Sequence, residues 1–399
     1  MPIRPVFHAL LLGLTSFLMA CAQMPAQPSH DAALPFTLAL NQSVDDLFSQ
    51  TQKLPAFLAR VESRLKLGAI VVDPLLDGAS GQQTEVTKIA EQRVIERVQD
   101  RFQQFTVLSF NSGGVAGAQY LLNGTLTQIG ASTSQGQYRL SLALVELKSG
   151  LVIAQAVSRV SDSTLNTNPT AFYRDSPVIA KDRVVEGYIR TAETKAGLPA
   201  DALYMDRLPT SALVSEAIAS YNAERFNEAL TRYEAAANRA DGQQLRIYSG
   251  LYLTQRQLGK TEAAEKTFGT IARLGLATNN LSVKFLFKPG STEFVSDAKV
   301  SGAYPMWLRQ IARQAVLIDA CVVVTGHTSR TGSEQINTKL SLQRASLVKQ
   351  RLEIAVPELA KKLREVGLGY LENIVGTATD DARDALDRRV EFKVTRCDA

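Results

Sequence analysis

Little in this chain is equipped for covalent chemistry. It holds three histidines and three cysteines in 399 residues. It contains no GxSxG, HExxH, phosphate-binding loop or Cys-His arrangement, the patterns that position serine, zinc, nucleotide or thiol chemistry. Two of the histidines, His8 and His30, lie far in sequence from His327, so no imidazole cluster is at hand for a metal centre. No catalytic residue, metal site or cofactor is expected. Runs of like charge are missing too: 44 Lys and Arg are interspersed with 39 Asp and Glu, for a net charge of +5 and a pI near 9.0. That balance gives no nucleic-acid footprint. What is present is ordinary globular material, 45% hydrophobic and 21% charged, enough for two or three domains with real cores.

Arg4 precedes an apolar run through Leu10, Leu11, Leu12, Leu14, Phe17 and Leu18 that ends in Leu18-Met19-Ala20-Cys21. The run is short for a membrane-spanning helix and has the form of a secretory signal over residues 1–20. Small residues just before a cysteine resemble the bacterial lipobox. The resemblance implies that Cys21 carries a diacylglycerol and an amide-linked acyl chain such as palmitate, and several chains anchor a protein stably where one does not. Ala22 lacks the aspartate associated with inner-membrane retention, so the implied address is the outer membrane, lipid-anchored and facing the periplasm. A conventional cleavable signal with an incidental cysteine, or an uncleaved membrane helix, is the plainer alternative. Residues 21–39, rich in Ala, Pro and Gln, read as a flexible tether.

From residue 40 to 160 the pattern is mixed α/β. Ala69 to Val72, closed by Asp73-Pro74, reads as a buried strand. Val86, Ile89, Ala90, Val94, Val98 and Phe102 recur at the spacing of one amphipathic helix. Tyr120 to Gly124 reads as a strand. Tyr138, Leu140, Leu142 and Leu144 alternate before the Lys148-Ser149-Gly150 turn and a return strand from Leu151 to Val157, a hairpin with one face in a core. This order resembles the periplasmic α/β domain of lipoprotein activators of penicillin-binding proteins, of the curli-secretion lipoprotein and of the Tol translocation protein. It carries a fold and no site.

Residues 161–208 read as an irregular connector around a helix from Asp182 to Lys195. Over 209–278 a repeat follows, YNAERFNEALTRYEAA from Tyr221 and QRQLGKTEAAEKTFGTI from Gln255. Ala229 matches Ala264 and Tyr233 matches Phe268, a period of 35 residues (268 − 233) close to that of tetratricopeptide units. About two such units are too few to stand alone, so they are expected to pack on a neighbour, as a partner-binding patch or as a helical spacer. With Cys21 assigned to lipid, Cys321 and Cys397 form a candidate disulfide in an oxidising compartment; two buried thiols are the alternative.

The last region, 279–399, reads as strand (Val283 to Phe287), a turn at Lys288-Pro289-Gly290, and a helix through Leu308, Ile311, Ala312 and Ala315. A strand from Cys321 to Thr325 follows, then a helix from Ser341 carrying Leu342, Ala345, Val348 and Leu352. Glu358 to Glu365 reads as a helix, Ile374 to Thr377 as a strand, and Arg389 to Val394 as the closing strand. Alternation of this kind makes an α/β sandwich. Gly326-His327-Thr328, Gly332, Asn337, Leu340-Ser341, Arg344-Ala345, Val348 and Asp387-Arg388-Arg389-Val390-Glu391 resemble, in order and spacing, the OmpA-like peptidoglycan-binding domain. The fold class expected is thus an α/β multidomain chain: an amino-terminal α/β domain, a short α-helical repeat segment and a carboxy-terminal OmpA-like α/β sandwich.

The resemblance implies noncovalent binding of the cell-wall peptide stem at diaminopimelate, whose α-ammonium and α-carboxylate call for an anion and a cation close together. Arg344, read as lying in the first turn of its helix, can pair with the carboxylate bidentately. Thr328 and Asn337 offer neutral hydrogen bonds, and Arg388 lines the far side. Ser329 departs from the pattern, standing where the family places the aspartate that meets the ammonium. Asp387 stands where many relatives have asparagine; it either returns that negative charge or pairs with Arg388 or Arg389. The expected function is an outer-membrane lipoprotein that binds peptidoglycan and presents the remaining domains to an envelope protein partner. The alternative is a periplasmic scaffold, accessory to wall synthesis or secretion, with weak or no wall binding.

Overall fold

The computed structural model describes residues 32–51, 68–129, 136–318, 320–376, 378 and 383–397. The expected signal, Cys21 and the tether up to residue 31 lie outside the described residues. The tether's expected last residues are not loose: Phe36 opens helix α1, Phe36–Thr51, and Phe36, Ala39, Leu40, Val44, Leu47 and Phe48 are all buried.

Five strands form the first sheet: β1, Gly68–Val72; β2, Phe105–Leu108; β3, Tyr120–Gln128; β4, Gln137–Glu146; and β5, Leu151–Ser161. Their order is β2-β1-β3-β4-β5, with β1 parallel to both β2 and β3 and the β3-β4-β5 edge antiparallel. Helix α2, Glu85–Arg101, is closed at its start by a capping box between Thr84 and Thr87, which satisfies two otherwise orphaned amides. It packs with α1 on one face of the sheet through Val86, Ala90, Val94 and Val98, while Ile89 points to solvent.

In the hairpin expected to have one buried face, β5 alternates as expected, whereas β4 is buried on both faces. Residues 161–208, expected as a connector, fold back over the second face as helices α3, Arg183–Glu193, and α4, Ala202–Asp206. Val184, Val185, Tyr188 and Tyr204 join Val71, Leu121, Ala143, Val145 and Val152 in that second core. Strand β2 was not legible in the sequence, because its four residues are too short for a period and sit at the sheet edge.

Helices α5, Leu208–Asn222; α6, Phe226–Ala237; α7, Leu245–Gln257; and α8, Thr261–Ala277 form two successive helical pairs. Ala229, Tyr233, Ala264 and Phe268 are all buried, as their shared spacing suggested. Gly250 is the point of closest approach, since a Cβ there would lie 2.1 Å from the Tyr233 ring.

The second sheet contains β6, Leu281–Val283; β7, Cys321–Gly326; β8, Leu363–Gly367; and β9, Val390–Thr395, in the order β6-β9-β7-β8. Strands β7 and β8 are parallel, and β9 runs antiparallel to β6 and β7. Helices α9, Tyr304–Val316, and α10, Glu334–Ala355, pack with this sheet. Three expectations fail here. Glu358 to Glu365 is a short 3-10 turn, Pro357–Lys361, followed by β8 rather than a helix. Residues 374–376 are a turn rather than a strand. The first strand ends at Val283, after which Phe285 and Phe287 turn into the core.

One core runs from the helical pairs into this sheet. Phe268 stacks on Trp307 at 5.3 Å, and the Trp307 indole donates to the Tyr252 hydroxyl at 2.6 Å. The helical repeats therefore bury an apolar face that two units could not bury against each other.

Candidate functional site

The C-terminal ends of β7 and β8 and the first half of α10 meet at backbone distance. A Cβ on Gly326 would lie 2.1 Å from the Ser341 carbonyl, and one on Gly367 would lie 2.4 Å from the Leu342 nitrogen. Ser341 fixes the contact, donating to the Thr338 carbonyl and accepting from the Gly369 N–H, each at 2.8 Å. Leu342 is exposed rather than part of the apolar face expected of it.

The loop leaving β7 is held at both ends. His327 N–H donates to the Arg389 carbonyl at 3.0 Å and Thr328 N–H to the Gly369 carbonyl at 2.8 Å. With its amide oriented to donate, Asn373 reaches the Thr328 and Tyr370 carbonyls at 3.0 and 3.1 Å. Asn337 lies in the first turn of α10, and its Nδ2 donates to the Thr331 and Ser333 carbonyls at 2.8 and 3.1 Å. Its donors therefore shape the loop, leaving the carboxamide oxygen as the atom a ligand could use. The Thr328 hydroxyl is buried and, among the described residues, has no hydrogen-bond partner, a costly state for a polar group.

Helix α10 begins at Glu334, seven positions before the expected start, so Arg344 lies in its third turn and gains nothing from the helix dipole, which acts only at the ends. Arg344 is 3% exposed. Its Nε donates to the Ser291 carbonyl at 3.1 Å and its Nη2 to the Lys288 carbonyl at 3.2 Å, and its face lies over the Phe287 ring at 4.7 Å. These contacts fix the plane of the guanidinium and brace the 288–291 loop. The sequence had no signal for this second role, because the partners lie more than 50 positions away.

Ser329 is buried as well. Asp387 does not pair with Arg388 or Arg389. Its carboxylate accepts from the N–H groups of Ile374, Val375 and Gly376 at 2.6, 3.1 and 2.8 Å. Burial raises its pKa, more than these three amides lower it. It is thus the peg of the 374–376 turn. Arg388 follows it, half-buried, and Arg389 pairs with Glu391 at 2.7 Å.

His327, Glu372 and Glu391 bring ligand-type atoms within 4.8 Å of one another. Arg389 and Lys393, 2.7 and 3.2 Å from Glu391, already take up the negative charge. Burial raises the Glu391 pKa, but His327 and Arg389 outweigh it and hold the carboxyl well below its usual range. The cluster reads as an ion network behind the loop.

Cys321 and Cys397 are bonded, with Cα atoms 4.8 Å apart. The bridge joins the start of β7 to the segment after β9 and so staples the sheet at the end opposite the loop.

No family model matches the chain. Among curated proteins it is similar to the peptidoglycan-binding protein ArfA of Mycobacterium bovis and of Mycobacterium tuberculosis, 43% identical over 76 residues, which is 19% of this chain and 23% of theirs. The chain thus spans less than a quarter of the length of the curated relatives it matches. Among solved structures it is similar to the peptidoglycan-associated lipoprotein of Burkholderia pseudomallei at 23% identity, covering 29% of this chain and 89% of that one with a TM-score of 0.24. The cell wall anchor of the T6SS from Pseudomonas aeruginosa gives 24% identity, 29% and 80% coverage and a TM-score of 0.24. A putative MotB-like protein from Desulfovibrio vulgaris gives 23%, 38% and 99%, and 0.26.

Proposed function

We propose that the carboxy-terminal α/β region binds the peptide stem of peptidoglycan noncovalently and that Cys21 anchors the chain to the outer membrane, so that the protein links membrane to wall. The wall-binding half is supported by the 43% identity to a protein named for peptidoglycan binding. The observation that carries it is a buried Thr328 hydroxyl with no partner among the described residues, in the loop before the helix whose Arg344 guanidinium is held in a fixed plane. In this reading Arg344 meets the carboxylate of diaminopimelate, and Thr328 and the Asn337 oxygen supply neutral hydrogen bonds. Ser329 meets the ammonium with a hydroxyl, and Arg388 closes the far side. Asp387 is a turn residue and not a ligand group. The anchoring half rests on the Leu18-Met19-Ala20-Cys21 sequence. Among the described residues no helix is long and apolar enough to cross a membrane.

The second reading, a scaffold that has lost its wall ligand, is favoured by Ser329 and by the engagement of Asp387 with backbone amides, which leaves the ammonium without an evident carboxylate. Cosedimentation of the mature protein with purified sacculi separates the two. Wall binding predicts that Thr328→Val, which keeps shape and removes only the hydroxyl, weakens cosedimentation without lowering Tm by more than a degree or so. No cosedimentation of the wild type at any salt concentration favours the scaffold.

A further inference from the structure

The first sheet contains a ligand-binding arrangement of its own. Strand β1 is flanked by two parallel neighbours, β2 and β3. The connection from β1 to β2 runs through α2 on one face. The connection from β2 to β3 runs through a short helix, Ser112–Gly117, whose Val115 packs on the other face. Connections that leave in opposite directions open a crevice at the carboxyl ends of the strands, where open α/β sheets bind their ligands. Asp73 is the residue immediately after β1. A cavity of about 270 Å3 lies there, closed by α3, α4, α5 and α7.

The charges lining this cavity are held apart. Arg246, on α7, makes no ion pair within 4 Å among the described residues. Its Nε is buried without a hydrogen-bond partner among the described residues, its Nη2 makes a long 3.5 Å contact to the Ser211 hydroxyl, and the guanidinium also engages the Tyr173 hydroxyl and feels Asp182 and Asp73 across the cavity. Asp73 accepts from Tyr204 through Oδ2, and Glu91 accepts from Gln83 through Oε2 at 2.9 Å. Among the described residues neither carboxylate has a further hydrogen bond or an ion pair within 4 Å, although Arg246 acts on Asp73 and Lys88 on Glu91 from a greater distance. Burial pushes both carboxyls up to about 7, and for Glu91 the nearby Asp73 adds to it. A core selected for stability alone would close such groups into a pair or replace them with apolar ones. Here they face a shared cavity whose remaining walls include Leu76, Val184 and Ile218.

We infer that this cavity is a binding site for a small zwitterion with an apolar body, of the amino-acid class, its carboxylate taken by Arg246 and its ammonium by Asp73 and Glu91. The site is independent of wall binding, since it uses none of the residues of the second sheet. Exposed Lys88 stands at its mouth on α2.

The test is calorimetric titration of the purified full-length chain with L-leucine, L-phenylalanine, D-alanine and ε-aminocaproate, beside the singly charged analogues isovalerate and isoamylamine. Saturable binding of at least one zwitterion, with both analogues roughly ten- to a hundredfold weaker, is expected from the loss of one charge-assisted contact. Glu91→Gln should weaken the same zwitterion about tenfold or more and leave isovalerate unaffected. Arg246→Lys keeps the charge and tests the fork geometry with less risk to folding than removal. Binding of isovalerate as tight as that of the zwitterion overturns the two-ended site. No heat from any probe, together with a crystal structure showing only water in the cavity, overturns the inference altogether. Neither outcome touches sacculus binding, which is measured separately.

Discussion

The Tyr204 hydroxyl donates a 2.6 Å hydrogen bond to Asp73 Oδ2, joining α4 to the residue that follows β1 across 131 positions of sequence. The contact makes the region first read as a connector part of the first sheet's structure. It also tempers the effect of burial on Asp73. Burial raises that carboxyl, and the hydrogen bond and Arg246 only partly oppose it, leaving it at about 7. A carboxyl that binds its proton more tightly folded than unfolded stabilises the fold fully below the unfolded value of 3.8, and that contribution is lost as pH rises to about 7. Denaturation midpoints measured from pH 4 to 8 should therefore fall for the wild type relative to an Asp73→Asn, Glu91→Gln double variant, by several kcal/mol at ~1.4 kcal/mol per pH unit. Parallel pH profiles for the two proteins would contradict the assignment.

The disulfide closes a sequence separation of 76 residues. Loop-closure entropy for a ring of that length is on the order of 4 kcal/mol. Cys321→Ser with Cys397→Ser, or added reductant, should lower the unfolding midpoint accordingly while leaving α5 to α8 folded by far-UV circular dichroism. An unchanged midpoint under reductant would mean that the bridge contributes nothing.

Ser329→Asp should strengthen sacculus binding, because a charged hydrogen bond is worth ~1.5–3 kcal/mol against ~0.5–1.5 for a neutral one. Since Ser329 is buried, the new carboxylate also costs folding stability in the absence of ligand, about 1–3 kcal/mol. Tighter cosedimentation with a lower Tm is the expected pair of results. A variant that loses Tm and gains no binding shows that no ammonium sits opposite this position.

Arg344→Ala is expected to abolish sacculus binding and also to destabilise the domain. It strands the Ser291 and Lys288 carbonyls and uncovers Phe287, a loss of roughly 3 kcal/mol or more from two charge-assisted bonds. Arg344→Lys is the informative variant. It retains a cation over Phe287 but lacks the planar fork, so binding should fall further than stability. Equal retention of both would deny the arginine a ligand role.

Asp387→Asn removes one of the two oxygens that receive three backbone amides. A stability loss of about 1–2 kcal/mol is expected, with sacculus affinity preserved within a factor of ~3, equivalent to less than 1 kcal/mol. A collapse of binding with unchanged stability would instead make Asp387 the missing ammonium partner.

Sequence alone determined the parts of this protein in which one face of one element is buried. The helical spacing of Val86, Ala90, Val94 and Val98, the alternation in β4, and the shared positions of Tyr233 and Phe268 each report burial locally, and each lies in a core. The order of residues around Thr328, Asn337 and Arg344 was legible for the same reason, since a loop and the helix after it are contiguous. Tertiary structure alone decided what each group faces. Whether β4 had one covered side or two depended on α3 and α4, the nearer of which begins 37 residues after β4 ends (183 − 146). Strand β8 is assigned by its pairing with β7, and its short run of Leu363 to Gly367 carries no period that outweighs helix-forming neighbours. Asp387 met backbone amides instead of arginines, and Arg246 came to line a cavity with Asp73 and Glu91, more than 150 positions earlier in the chain (246 − 91). Apolar periodicity is written along the chain because water acts on every residue alike, whereas the partner of a charge is set by which distant segments the fold brings within a few ångströms.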